Sequence, residues 1–302
     1  LKIQLECIPC QIRQALAIAK KLTNNNETIQ KSFKEALKVA SNFDKYQDSF
    51  SLLYDMLEKV KKINPDDDPY ENFKKQFNKI CLNIEPDLKK LAYKSNNIDE
   101  IFEIGLRISL SGNALDVMQG GILSEEFLED AVKKSLTQRI NLENVKLLKK
   151  NILESQKILF IGDNAGEIVF DKIFIEIIKD KIFKNEKNND EKITYAVRGG
   201  PSLNDSTIED AIMVGMDKIV RVITTGIDLP GAYLPKCSEE FKRFYNNADL
   251  IISKGQGNFE SLLDEKDKNI FFLLKIKCET ILNFFNGRHN INDVIVEHFH
   301  HI

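Results

Sequence analysis

The sequence predicts an α/β protein in two parts, an all-helical domain over residues 1–155 and, over 156–302, a domain built on a mostly parallel, Rossmann-like sheet. Two observations predict this. Near residue 155 the spacing of apolar residues changes from intervals of three and four to short β-branched runs. Those runs then alternate with helical patterns, and strands joined through helices run parallel with both sheet faces covered.

Taken in order, "CQIRQALAIAKKL", "QKSFKEALKVASNF", "FSLLYDMLEKVKKI", "YENFKKQFNKICLNIEPDLKKLAY" and "IDEIFEIGLRISLSGNALDVM" each place apolar residues on one helical face. Glycine is rare through this half. After residue 155 come "KILFI", "KITYAV", "KIVRVI", "DLIIS" and "IFFLLKI", rich in Ile, Val and Phe and bounded by turns. "NNDEK" reads as a solvated loop. There is no internal repeat.

Composition narrows the function. With 302 residues, 42% hydrophobic and 29% charged, the chain has enough apolar material for one large or two modest cores. A balance of 43 Lys+Arg against 46 Asp+Glu leaves no domain-wide positive field for a nucleic-acid backbone or an anionic membrane. Small molecules are the expected partners. The opening "LKIQLECIPCQIRQALAIAKK" is broken by charge and Pro9, no apolar run reaches membrane-spanning length, and five scattered cysteines make no disulfide framework. The expectation is a cytoplasmic protein with reduced thiols.

Three strand ends carry loops that join glycine to acid, amide or base: "GDNAGE" after Ile161, "RGGPSLNDSTIED" after Val197 and "KGQGNFE" after Ser253. Ligands of open parallel sheets collect at such ends. Part of this polarity fits helix capping, with Asn164 and Glu167, then Ser206 and Glu209, at capping-box spacing. Capping leaves Asp163 and Asp205 unexplained. Two carboxylates and the Asn164 amide suit a hard divalent cation, whose charge they balance, so that a phosphate is not repelled. Arg198 and Lys254 then hold phosphate oxygens, with the backbone N–H groups of Gly255 and Gly257.

Other chemistries lack their motifs. No strand is followed by G-x-G-x-x-G, and neither G-x-x-x-x-G-K-[ST] nor G-x-S-x-G occurs. Haloacid-type phosphatases place aspartates on alternate residues after a strand, whereas Asp163 and Asn164 are adjacent.

The ordered set "CIPC", "SGNALD", "GDNAGE", "RGGPSLNDST", "SKGQGNFE" and "FFLLKIKC" resembles the damage-control phosphatase family, domain of unknown function 89, over nearly the whole chain. The resemblance implies an N-terminal helical domain, a C-terminal three-layer α/β/α domain and metal-dependent hydrolysis of small phosphorylated metabolites. By motif match it puts metal ligands on Asp163, Asn164 and Asp205, the phosphate-binding lysine on Lys254 and a second basic position on Lys277. It brings Asn113 and Asp116 toward the metal site from the helical half. The "CIPC" start resembles the microbial branch, not the branch named for carboxyl methyl transfer or the pantothenate-kinase fusions.

In this reading a divalent metal (Mg, Mn, Co or Ni) on Asp163, Asn164 and Asp205 and a cationic cradle carry phosphoryl transfer, which needs charge neutralisation and in-line positioning more than acid–base groups. The nucleophile is either water or Asp163 itself. Glu260 and Asp210 are candidates for proton transfer, against exposed helix faces as the plainer reading. Cys7 and Cys10 have C-x-x-C spacing but no second close pair completes a zinc site. The alternative to an enzyme is a non-catalytic module sensing a phosphorylated ligand through the same cradle.

Overall fold

Helices at the expected spacing form α1 (Cys7–Leu22), α2 (Asn26–Ala40), α3 (Ser49–Lys61), α4 (Glu71–Ala92), α5 (Ile98–Ala114), α6 (Glu125–Thr137) and α7 (Leu142–Glu154). Their starts are set locally. Asn25, Asp48, Ser124 and Asn141 each accept a first-turn backbone N–H with the side chain, supplying a partner that helix geometry leaves missing. The computed structural model describes residues 2–63, 68–114, 124–184, 191–265 and 267–299.

The second half alternates as the sequence predicts: β1 (Ile158–Ile161), α8 (Glu167–Ile177), β2 (Ile193–Val197), α9 (Ile208–Val214), β3 (Arg221–Thr224), α10 (Glu239–Asn247), β4 (Leu250–Lys254), α11 (Gln256–Leu262), β5 (Ile270–Lys275), α12 (Glu279–Phe284) and β6 (Val294–Phe299). The strand order is β3-β2-β1-β4-β5-β6. Strands β1 to β5 run parallel, with Phe160 beside Tyr195 on one side and Ile252 on the other. The sequence reading ends the sheet at "IFFLLKI"; the structure adds β6, antiparallel to β5, with Lys275 opposite Val294. Its apolar run is only "VIV", broken by Glu297 and His298 before Phe299 and followed by a polar tail, so period and length both understate it.

Successive side chains of β1 point to opposite faces, as the pleat requires. Ile158 and Phe160 join a core that includes residues of α4 to α9, whereas Leu159 and Ile161 join one with Phe241, Phe259 and Ile281 from α10, α11 and α12. Helices therefore cover both faces. The first of these cores crosses the compositional change near residue 155, because α4 and α5 pack on α8, α5 and α7 pack on the sheet, and α6 packs on α4 and α5. A third core joins α1, α2 and α3 to Leu229. Among the described residues no helix is long and apolar enough to cross a membrane, and all five cysteines are unpaired.

The strand order reverses between β1 and β4. Loops leaving their carboxyl ends diverge to opposite faces and open a crevice there, the usual ligand position in such sheets. The "GDNAGE" and "KGQGNFE" loops leave from these two ends.

Candidate active site

The β1–α8 turn and the β2–α9 loop are joined by backbone. Ser206 N–H donates to the Asp163 carbonyl at 2.8 Å, Ala165 N–H donates to the Asn164-facing loop at the Asn204 carbonyl at 2.9 Å, and Asn164 and Asp205 form a single antiparallel bridge. Asp163, Asn164 and Asp205 are thereby brought together although 42 residues of chain separate Asp163 from Asp205 (205 − 163). The sequence expectation that these three share one place is met by the backbone.

Both carboxylates are nearly out of solvent, Asp163 at 9% exposure and Asp205 at 5%. Arg198, itself buried, lies between them. Its Nε donates to Asp205 at 2.6 Å and its Nη2 stands 3.5 Å from Asp163. Burial first, then the Asp205 charge, pushes the Asp163 carboxyl up to about 6, against the opposing pull of Arg198, Lys277 and Lys254. Burial also raises Asp205, with Arg198 opposing. The pair carries more negative charge than its surroundings stabilise. That excess, with the adjacent amide, fits a bound divalent cation. Among the described residues no three or more His, Cys, Asp or Glu side chains gather as a metal site; the polar groups that meet here are two carboxylates and one amide.

Lys254 departs from expectation. Its side chain is fully buried and its ammonium meets Asp171 at 2.6 Å and Glu167 at 2.7 Å, while donating to the Ser109 carbonyl and hydroxyl, each at 3.0 Å. Burial alone would lower its pKa, but Asp171 and Glu167 outweigh that and raise it, so the ammonium stays charged. Asp171 also accepts from the Ser109 and Tyr195 hydroxyls at 2.6 and 2.8 Å. Lys254 thus holds a buried acidic pair beneath the cluster. Lys277 is the exposed cation of the two, close enough to depress the Asp163 carboxyl.

The two expected caps are also corrected. Helix α8 begins at Glu167 itself, preceded by Gly166 at φ 75°, and Glu167 turns inward to Lys254 instead of capping. Its carboxyl is pushed up by burial to about 7, with Lys254 opposing and Asp163 and Asp171 adding to the rise. For α9 the box falls one residue later: the Asp210 carboxylate accepts from the Thr207 N–H and hydroxyl, both at 2.9 Å. Asp210 also pairs with Lys74 and accepts from Asn78, so its oxygens have structural partners rather than an exposed helix face. Glu260 is half-buried and accepts from Gln256 at 2.7 Å. Burial raises its carboxyl.

Gly255 matters by absence of a side chain. At φ 80° an added Cβ would lie 2.0 Å from an Asp163 carboxylate oxygen, so only glycine lets the β4 end approach β1 this closely. Its N–H donates to the Leu273 carbonyl at 3.0 Å, which removes it from the expected phosphate cradle. Gly257 lies in the first turn of α11, where N–H groups lack helical partners. Asn258 ties the two turns together, donating to the Gly162 and Lys254 carbonyls at 3.0 and 2.7 Å.

The helical half builds part of this site. Asn78 of α4, fully buried, accepts from the Gly166 N–H at 2.6 Å and donates to Asp210 at 2.8 Å. Sequence reasoning misses Asn78, although a polar residue on the apolar face of α4 is its signal. Gly112 of α5 lies against Glu167, where a Cβ would come within 2.5 Å of its side chain. Asn113 lies in the last turn of α5 without a described side chain, and Asp116 is outside the described residues. Beside Arg198 a cavity of 560 Å3 opens between α4 and the loop before α9, lined also by Lys74, Gly199 and Glu209. Among the described residues the buried Arg198 Nη1 has no hydrogen-bond partner.

The comparisons agree with this architecture. The family model described as the damage-control phosphatase ARMT1-like domain matches residues 3–291. A damage-control phosphatase of Pyrococcus horikoshii is 33% identical over 287 residues, covering 93% of each chain. A damage-control phosphatase of Archaeoglobus fulgidus is 31% identical over 300 residues, covering 98% of this chain and 99% of the relative. An uncharacterized protein of Methanocaldococcus jannaschii is 36% identical over 292 residues, covering 93% of this chain and 90% of the relative. A crystal structure of a DUF89 family protein from Pyrococcus horikoshii matches with a TM-score of 0.83 at 28% identity, covering 99% of both chains. With its model matched from Ile3 to Ile291 and its fold shared end to end, the chain belongs to the damage-control phosphatase ARMT1-like domain family.

Proposed function

We propose that this protein is a divalent-metal-dependent phosphatase that hydrolyses phosphomonoesters of small metabolites, sugar phosphates or damaged phosphometabolites among them. The observation that carries the reading is the convergence of Asp163, Asn164 and Asp205 at the switch point of the sheet, with both carboxylates buried and short of positive charge. Relatives named damage-control phosphatases support the reaction class.

Asp163, Asn164 and Asp205 would hold the ion, and when bound it supplies positive charge for the phosphate oxygens. The chain's own groups do the rest. Arg198 orients both carboxylates through Nε and Nη2, and its buried Nη1 keeps the guanidinium charge beside them. Lys277 and the Gly257 N–H offer further donors at the same strand ends, and Lys254 neutralises the acids below. Burial excludes water, which strengthens each of these electrostatic terms. The 560 Å3 cavity has room for the organic part of a small ester.

The test is release of inorganic phosphate from an aryl phosphate and a sugar-phosphate panel with Mg²⁺, Mn²⁺, Co²⁺ or Ni²⁺, against chelator. Metal-dependent release supports the reading. Saturable binding of these esters without release in any metal would instead make the chain a sensor of phosphorylated ligands.

A further inference from the structure

We propose a second anion site, for a phosphate group, at the end of the sheet opposite the carboxylate cluster. A cavity of 270 Å3 lies there, lined at the amino ends of the parallel strands by Lys157 before β1, Lys192 before β2, Arg221 at the start of β3 and Arg243 on α10. Strand β1, four residues long, separates it from Asp163 by about 13 Å of backbone at roughly 3.3 Å per residue. Glu191 is the one acid among the lining residues.

The arrangement of the arginines points to a ligand. Arg221 and Arg243 both stack on Phe244, their guanidinium carbons 5.8 and 5.6 Å from the ring centroid. Among the described residues neither has an ion pair, and nor does Lys157. Some surface lysines have an acid within reach, as in Lys38–Glu35, Lys75–Glu71, Lys90–Asp87 and Lys242–Glu239, whereas here three cations converge on one cavity with a single acid in its lining. Two guanidiniums on one ring repel each other, and the ring offsets only part of that. A doubly charged oxyanion between them reverses the sign of the interaction and matches the planar fork of each arginine. Lys192, buried and with its ammonium 4.5 Å from the Phe183 centroid, also lines the cavity. A cavity of this size takes a phosphate with a small organic group and excludes a polymer lying flat.

The inference is independent of the phosphatase reading, since it uses none of the residues at the carboxylate cluster. The experiment titrates the full chain in EDTA with inorganic phosphate, phenyl phosphate or benzoate by calorimetry, alongside Arg221→Gln/Arg243→Gln. The expected result is one saturable site for both phosphate compounds with Kd of about 1 mM or tighter, weakened at least about tenfold in the double variant, and little affinity for singly charged benzoate. Phenyl phosphate binding tighter than phosphate assigns the site to a phosphorylated metabolite; the reverse assigns it to free phosphate. Either supports the site. Arg221 is exposed, so Arg221→Gln alone keeps the fold and still weakens binding if the double variant melts early. Absence of saturation in the wild type up to about 20 mM, or equal affinity in the variants, overturns the proposal.

Discussion

Asn164 and Asp205 face each other across a single antiparallel bridge that lies outside every strand of the sheet. This bridge, with the Ser206–Asp163 and Ala165–Asn204 backbone bonds, fixes two loops against each other and makes the convergence of Asp163, Asn164 and Asp205 a property of the backbone.

Substitution within that set separates chemistry from folding. Asp163→Asn removes one of two buried like charges, so metal-dependent activity should fall below detection while stability in EDTA rises or holds. Asp205→Ala should also abolish activity, but it leaves buried Arg198 without its 2.6 Å partner and costs about 3 kcal/mol. Denaturant titration and phosphate release measure both. Activity retained in each variant would remove the metal assignment.

The two lysines should separate in the same way. Lys254→Met strands Glu167 and Asp171 in the core, and should destabilise by about 3–5 kcal/mol. Lys277→Met removes an exposed charge, so stability should stay within about 0.5 kcal/mol while KM and the inhibition constant for phosphate rise. A Lys254→Met protein as stable as wild type, with phosphate affinity alone reduced, would return Lys254 to the phosphate.

Much of this was legible in the sequence, and what was not has particular causes. The five parallel strands were visible because each is a β-branched run bounded by turns, and Asp163 and Asp205 because capping could not absorb them. The direction of the Lys254 side chain was not legible. It depends on Ser109 and Asp171, which come from helices distant in sequence, and Asp171 sits in "IVFDKIF" as one acid in an apolar run. The Gly255 N–H was lost to the cradle for a similar reason, since its partner is the next strand. Local patterns reveal local structure; pairing across elements needs the fold.

The raised carboxyls predict a pH dependence of opposite sign to the common acidic case. Asp163 and Glu167 move up from 3.8 and 4.5 to about 6 and about 7. Between these limits the folded chain holds protons that the unfolded chain has released, so stability of the metal-free protein is greatest below pH 4 for these groups and falls as pH rises to 7. Urea titrations in EDTA at pH 5 and 7.5 should show a larger drop in wild type than in Asp163→Asn. Equal drops would mean that Asp163 is not strained by its burial.

Tight approach makes Gly255 a further test. Gly255→Ala places a methyl 2.0 Å from the Asp163 carboxylate and at a φ that side chains disfavour, so Asp163 or the β4 end must move. Metal affinity should fall at least about tenfold, corresponding to roughly 1.4 kcal/mol. Gly287→Ala, also at positive φ but with open space around it, is the control for backbone strain alone. Equal effects of the two would leave the Asp163 approach without a role.

The last prediction concerns how far the helical half is part of the site. Were residues 156–302 an independent catalytic domain, the fragment would fold and hydrolyse substrate alone. The packing argues otherwise: α8 buries Phe170, Ile173 and Phe174 in a core completed by Phe77, Phe102 and Leu106 of α4 and α5. Removing residues 1–155 exposes that whole face, and it leaves the Gly166 N–H without Asn78 and Lys254 without Ser109. The fragment should therefore be inactive and aggregate or remain molten. A finer test keeps the chain whole. Asn78→Leu keeps the number and branching of side-chain heavy atoms, though with bulkier methyls, but accepts nothing from Gly166 and gives nothing to Asp210, each a buried polar group whose loss of partner costs about 1–3 kcal/mol. The turn carrying Asp163 and Asn164 loses its anchor, so kcat should fall more than about tenfold while far-UV circular dichroism is preserved. If Asn78→Leu keeps wild-type kcat and KM, the β1–α8 turn is held by the sheet alone, and the helical half serves only to cover it.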